Sequence, residues 1–283
     1  MRVQVDSDLA AFLPAVKPWL STDPVRHNVL MTVMQSRVDG LEPIEEGIFL
    51  ARVLDGEDLA GVAIRTPPHP LLVSMMPPQA AEALARVVLA DEGVIAVNGS
   101  HEVAIPIAAA IAEERGGEVR RARGLGRFRL SRLIPARPTS GAPRQATLDD
   151  ADLVIEWTVA FHDHIREAGG VNHDKIRARI GLGQMWLWED GGAPVSMANR
   201  SEPAGGVARV NLVWTPAALR GRGYASALVA VVTQQILDAG WVPSLYTDLA
   251  NPTSNKIYQA LGYEKLDEAG IWTVTVPGEP SGT

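Results

Sequence analysis

Between Ala225 and Ala239 the apolar residues Leu228, Val229, Val232 and Ile236 recur at helical spacing, directly after the strand-like run Ala208 to Trp214. Around this pair the second half of the chain alternates in a readable way. Thr147 or Asp149 can cap a helix through Asp152, Leu153, Trp157 and Phe161, because a short side-chain oxygen satisfies the first free N–H groups. Met185-Trp-Leu-Trp188 and Pro194-Val-Ser-Met197 flank Glu189-Asp-Gly-Gly192, the pattern of two strands joined by a tight turn. Strand Ser244–Asp248, helix Ser254–Leu261 and strand Ile271–Thr275 complete the half.

The first half runs in a similar order: strand Gly47–Val53, turn Asp55-Gly56, strand Leu59–Arg65, strand Leu71–Met75, helix Gln79–Asp91, strand Val94–Asn98, helix Glu102–Glu114. A length of 283 residues also exceeds one typical core of roughly 150 residues. Ile134-Pro-Ala-Arg-Pro-Thr-Ser-Gly-Ala-Pro143 has three prolines, a glycine and no apolar period, as a connector would. The expectation is an α+β chain of two domains, 1–134 and 144–283, joined by a linker at 135–143, each a mixed, mostly antiparallel twisted sheet flanked by helices.

Composition narrows the chemistry. A formal charge of −7 argues against a nucleic-acid partner. The arginines at 115, 120, 121, 123, 127, 129 and 132 then read as a solvated face. With no cysteine, disulfides, thiolate catalysis and cysteine metal sites are excluded. The first residues lack the basic-then-apolar order of a signal peptide, and no apolar stretch reaches the roughly 20 residues that span a bilayer. The expectation is a cytoplasmic enzyme with no membrane or nucleic-acid partner.

The most informative stretch is Val210-Asn-Leu-Val-Trp-Thr-Pro-Ala-Ala-Leu-Arg-Gly-Arg-Gly-Tyr-Ala-Ser226, an apolar strand that meets a glycine turn and then a long helix. Gly221 and Gly223 allow backbone angles closed to other residues. Consecutive N–H groups at a helix start, with the helix dipole, make a pyrophosphate site, and Arg220 and Arg222 add charge. A control lies in the same chain: Arg121-x-x-Gly124-x-Gly126 fits the short pattern, yet Arg127 to Leu133 alternates like a strand, so no helix start follows.

This stretch resembles the phosphate loop of the GNAT superfamily of N-acetyltransferases. Two further pieces agree with that family: the strand-loop Tyr246-Thr-Asp-Leu-Ala-Asn-Pro252, and the helix Ser254 to Tyr263, in which Asn251 stands seven residues before Tyr258, with Gly262-Tyr263 following. The resemblance covers nearly all of residues 144–275. It implies two GNAT-like domains in tandem, the first degenerate, and acetyl-CoA as co-substrate. It implies further that the backbone of Val213, Trp214 and Thr215 pairs with the pantetheine arm, and that the amides of Gly221, Arg222, Gly223, Tyr224 and Ala225 hold the pyrophosphate with Ser226. Asn251 would sit beside the pantetheine or the substrate, and Ser254 beside the coenzyme. Tyr258 would face the sulfur and protonate the leaving thiolate.

Here the chain departs from the family. The strand before the loop has no carboxylate to serve as general base. His162 and His164 are two apart on a helix, which does not suit a shared metal, and no metal is expected. Either histidine, or Trp186, Trp188 or Trp214, can line a substrate pocket. In the first half, Ser74-Met-Met-Pro-Pro-Gln-Ala80 puts two prolines where the glycines stand, and its last helix lacks a tyrosine, so no coenzyme is expected there. The acceptor is expected to be a small-molecule or peptide amine, and the protein a monomer or homodimer. Transfer of a longer acyl group, and a non-catalytic acyl-CoA sensor, are the alternatives.

Overall fold

The structure is a computed structural model and describes residues 1–166 and 170–276. These form two compact units, one of Met1–Gly126 with the residues from Asp267 on, the other of Arg127–Leu266.

The first unit contains β1 (Arg2–Asp6), α1 (Leu9–Leu20), α2 (Pro24–Val38), β2 (Phe49–Asp55), β3 (Asp58–Arg65), β4 (Leu71–Val73), α3 (Pro78–Val88), β5 (Ala96–Ser100), α4 (His101–Arg115) and the larger part of β6 (Glu118–Leu130). The strands β1 to β4 pair antiparallel in sequence order, and β4 pairs β5 parallel, with α3 as the crossover. Two of these helices go beyond the sequence expectation. Asp8 caps α1 by accepting from the amides of Ala10 and Ala11 at 2.9 and 3.3 Å. Asp23 and Pro24 open α2. Leu84 and Val88 of α3, with Val103, Ile107 and Ile111 of α4, bury against Val53, Ala63, Leu71 and Val97 of the sheet.

In the second unit come β7 (Ala142–Gln145), α5 (Ala151–Ile165), α6 (His173–Gly181), β8 (Met185–Asp190), β9 (Ala193–Arg200), β10 (Val207–Trp214), α7 (Tyr224–Asp238), β11 (Val242–Asp248) and α8 (Pro252–Ala260). Strands β7 to β10 pair antiparallel in order, and β10 pairs β11 parallel. The expected hairpin turn is present, with Gly191 and Gly192 at φ 61 and 80°. Ahead of α5 the amide of Thr147 donates to the Asp150 carboxylate at 2.8 Å. Arg144 donates to that carboxylate and pulls its pKa down to about 2. Side chains alternate across the sheet: Leu187 and Met197 pack with α5 and α6, Trp188 and Ala198 with α7.

The last strand, β12 (Tyr263–Thr275), corrects the expected partition. Ala269–Thr273 pairs antiparallel with Ala96–Ser100 of β5 and lies between β5 and β6, so Ile271–Thr275 belongs to the first unit and not to the second. Its alternation explains why, since Trp272 and Val274 enter the first unit's core. The units therefore divide at Gly126 and Leu266, away from the expected linker at 135–143, whose end is the start of β7. The expected second domain extends to residues 277–283, which lie outside the described residues. One member of the arginine run also differs from expectation, because Arg127 is buried.

Candidate active site

Strands β10 and β11 pair only from Val207 and Val242 to Arg209 and Ser244, although they run on to Trp214 and Asp248. The cause lies on the other side of β10. Its register with β9 shifts between Asn211 and Trp214, where Leu212 adopts φ 47°. Such a bulge turns the strand away from its neighbour. A non-glycine residue at positive φ costs on the order of 1 kcal/mol or more, strain that clusters at functional sites. The result is a fork in the sheet in which Val213, Trp214 and Thr215 are half-buried. The buried Ser196 hydroxyl fixes this segment, donating to the Trp214 carbonyl at 3.0 Å and meeting the Thr215 hydroxyl at 2.9 Å.

Past the fork, a 3-10 turn (Ala217–Leu219) leads into Arg220-Gly-Arg-Gly223 and α7. Gly221 and Gly223 stand at φ 79 and 90°, and the first helical bond is Ala227 N–H to the Gly223 carbonyl at 3.0 Å. Among the described residues, the amides from Gly221 to Ser226 donate to no protein acceptor, and the loop itself is exposed. Every α-helix begins with such orphan donors; here two glycines extend the row into the loop. An anion with several oxygens can accept from the row.

The loop is pinned from behind. Thr139 donates to the Arg222 carbonyl at 2.8 Å and leaves the amides free. Asp190 accepts from the Tyr224 hydroxyl at 2.5 Å and from Ser140 at 2.7 Å, and these bonds hold its carboxyl below the usual carboxylate range. These contacts come from the expected linker at 135–143, where two small polar residues, Thr139 and Ser140, stand among three prolines. Arg222 is exposed. Arg220 is committed to the fork, its Nε donating to the Thr215 carbonyl at 2.9 Å and its guanidinium lying 4.9 Å from the Trp214 ring centre.

Tyr258 projects from α8 into the core shared by Ala227, Leu228 and the half-buried Val213. Its ring meets Tyr263 edge-on at 6.3 Å. Burial pushes the Tyr258 phenol up to about 12, so it stays protonated at neutral pH. Asn251 caps α8, accepting from the Ser254 amide at 3.1 Å, and that bond spends its side-chain carbonyl on the fold.

On the opposite face, Phe161 and His164 of α5 meet the Trp214 ring edge-on at 6.5 and 5.6 Å. Trp188 is buried and bonded to the Ser140 carbonyl at 2.8 Å, while Trp186 is half-buried. His162 lies 6.1 Å from Phe161. No group of three metal-ligating side chains occurs among the described residues.

A family model described as FR47-like protein matches residues 200–273, the stretch that holds the fork, the loop and Tyr258. A search of curated proteins finds no match. Among solved structures, an acetyltransferase of the GNAT family from Colwellia psychrerythraea is similar over 97% of this chain and 99% of its own, at TM-score 0.63 and 11% identity. A GCN5-related N-acetyltransferase from Sphaerobacter thermophilus is similar over 98% and 97%, at 0.60 and 14%. A tandem GNAT protein from the clavulanic acid biosynthesis pathway is similar over 99% and 100%, at 0.59 and 12%. At such identities the likeness is one of fold, and it runs the length of the chain.

Proposed function

We propose, for a chain that has the GNAT fold along its length, that the second unit transfers the acetyl group of acetyl-CoA to a primary amine of a small molecule or peptide. The carrying observation is the exposed row of amides from Gly221 to Ser226, without protein partners at the start of α7. Acetyl-CoA supplies an acyl group activated as a thioester. The fork exposes the backbone of Val213 to Thr215 to the pantetheine arm, the loop amides and Arg222 take the pyrophosphate, and Tyr258 keeps a proton on its phenol oxygen for the departing sulfur. Arg220 acts indirectly, holding Trp214 in place.

Two features favour a second reading, an acyl-CoA sensor without turnover: β10 carries no carboxylate, and Asn251 is spent as a cap. A thiol-release assay across a broad amine panel separates the two. Acetyl-CoA turnover that falls in Tyr258→Phe supports the enzyme; tight coenzyme binding with no turnover on any amine supports the sensor; no binding overturns both.

A further inference from the structure

An ammonium cannot attack a thioester until it gives up a proton, and the strand that ends at the fork has no Asp or Glu between Val207 and Trp214. The opposite wall of Trp214 offers an alternative. The last turn of α5 sets the His164 ring 5.6 Å from the Trp214 ring at 62°. His164 is exposed, and among the described residues neither of its ring nitrogens has a protein partner. Phe161 packs on the same indole, so the imidazole is backed by aromatic surface while its polar edge stays open. Trp214 itself is anchored by Ser196 and Arg220, which fixes the imidazole's support relative to the backbone of the fork.

We propose that His164 is the proton acceptor of the transfer, an inference that rests on the acyltransferase reading. His164 takes one proton from the acceptor ammonium and passes it to solvent. The freed nitrogen then attacks the thioester carbonyl carbon, forming the C–N bond as the C–S bond breaks. The departing sulfur takes the Tyr258 proton. The second nitrogen proton, lost as the amide forms, restores the phenol, so each turnover releases one proton.

Other ionisable groups lie on the elements packed against this end of the helix. On α5 these are His162 and Asp163, with Arg166 at its C-cap; His173, Asp174, Lys175, Arg177 and Arg179 are on α6, Arg209 is on β10, and Arg220 lies across the indole. Of these groups His162 and His173 carry the same imidazole chemistry as His164. His162→Gln and His173→Gln are therefore the controls.

The test is the pH profile of kcat/KM for the full chain with acetyl-CoA and the best amine of the panel, between about pH 5.5 and 9.5. His164→Ala is expected to lose about 100-fold in kcat at neutral pH, with KM for acetyl-CoA unchanged. Its rate should keep rising with pH where the parent levels off, added imidazole should restore part of it, and His162→Gln and His173→Gln should keep the parent profile. An unchanged acid limb in His164→Ala, or a loss confined to coenzyme KM, overturns the proposal while leaving the acyltransferase reading intact. Absence of turnover in the parent chain with every amine overturns both.

Discussion

Each unit passes from a parallel strand pair through a loop into a helix, and the two loops differ. After β10 the chain places Gly221 and Gly223 at positive φ and leaves a row of amides without protein partners. After β4 it turns back on its own sheet. The Ser74 N–H donates to the Val62 carbonyl at 2.9 Å, the Ser74 hydroxyl oxygen accepts from the Val62 N–H at 2.9 Å, and Met76 lies where a side chain on Gly61 would stand. Pro77 and Pro78 then occupy the cap and first position of α3, where no N–H can be offered. The same succession of elements thus carries a row of amides without protein partners in one unit and a closed turn in the other. Topology supplies the place; the loop residues decide what it can hold.

The sharpest way to break this contrast is Tyr258, the proposed proton donor to the departing sulfur, for which α4 has no counterpart. Tyr258→Phe should lower kcat by about 100-fold while coenzyme affinity, read by calorimetry, is kept. Next comes the loop. Gly223→Val puts a branched side chain at φ 90°, a strain of about 1–3 kcal/mol that should weaken coenzyme binding by about 5- to 150-fold. The matching change in the first unit, Met76→Ala, should leave binding unaltered.

Alkali should distinguish the units as well. All four tyrosines, 224, 246, 258 and 263, lie in the second unit. Burial raises Tyr258 to about 12 and raises Tyr263 too, so the folded state holds these protons more tightly than the unfolded chain does. The associated stability is complete below about pH 10 and falls as pH rises towards 12, by up to about 3 kcal/mol for Tyr258. Denaturant midpoints between pH 9 and about 11.5 should fall, and fall less in Tyr258→Phe. The smallest effect is expected at the loop's support. Asp190→Asn keeps the shape but weakens the bonds to Tyr224 and Ser140, and coenzyme affinity should drop by about threefold.

Local signals were the legible ones. The run from Ala208 to Ala239, the paired glycines at 191 and 192 and the cap before α5 each involve neighbours in sequence, and each stands where the pattern put it. Helix α1 was hidden by Pro14 and Pro18 in its interior, and α2 by buried His27, Asn28 and Arg37, which blur its apolar stripe. The pairing of β12 with β5 joins residues more than 160 apart, and a strand's period names its buried face but not its partner. The bulge at Leu212 leaves no mark in composition. Nor does the packing of Arg220 on Trp214 or its bond to the Thr215 carbonyl.

Hydrogen–deuterium exchange across residues 215–230, with and without acetyl-CoA, tests the central claim most directly. Fast exchange from Gly221 to Ser226 in the free chain and strong protection on adding the coenzyme, with the segment from Met75 to Ala81 unchanged, is the predicted result. Exchange at Gly221 to Ser226 that ignores the coenzyme, or protection that appears instead beside Pro77 and Pro78, would contradict it.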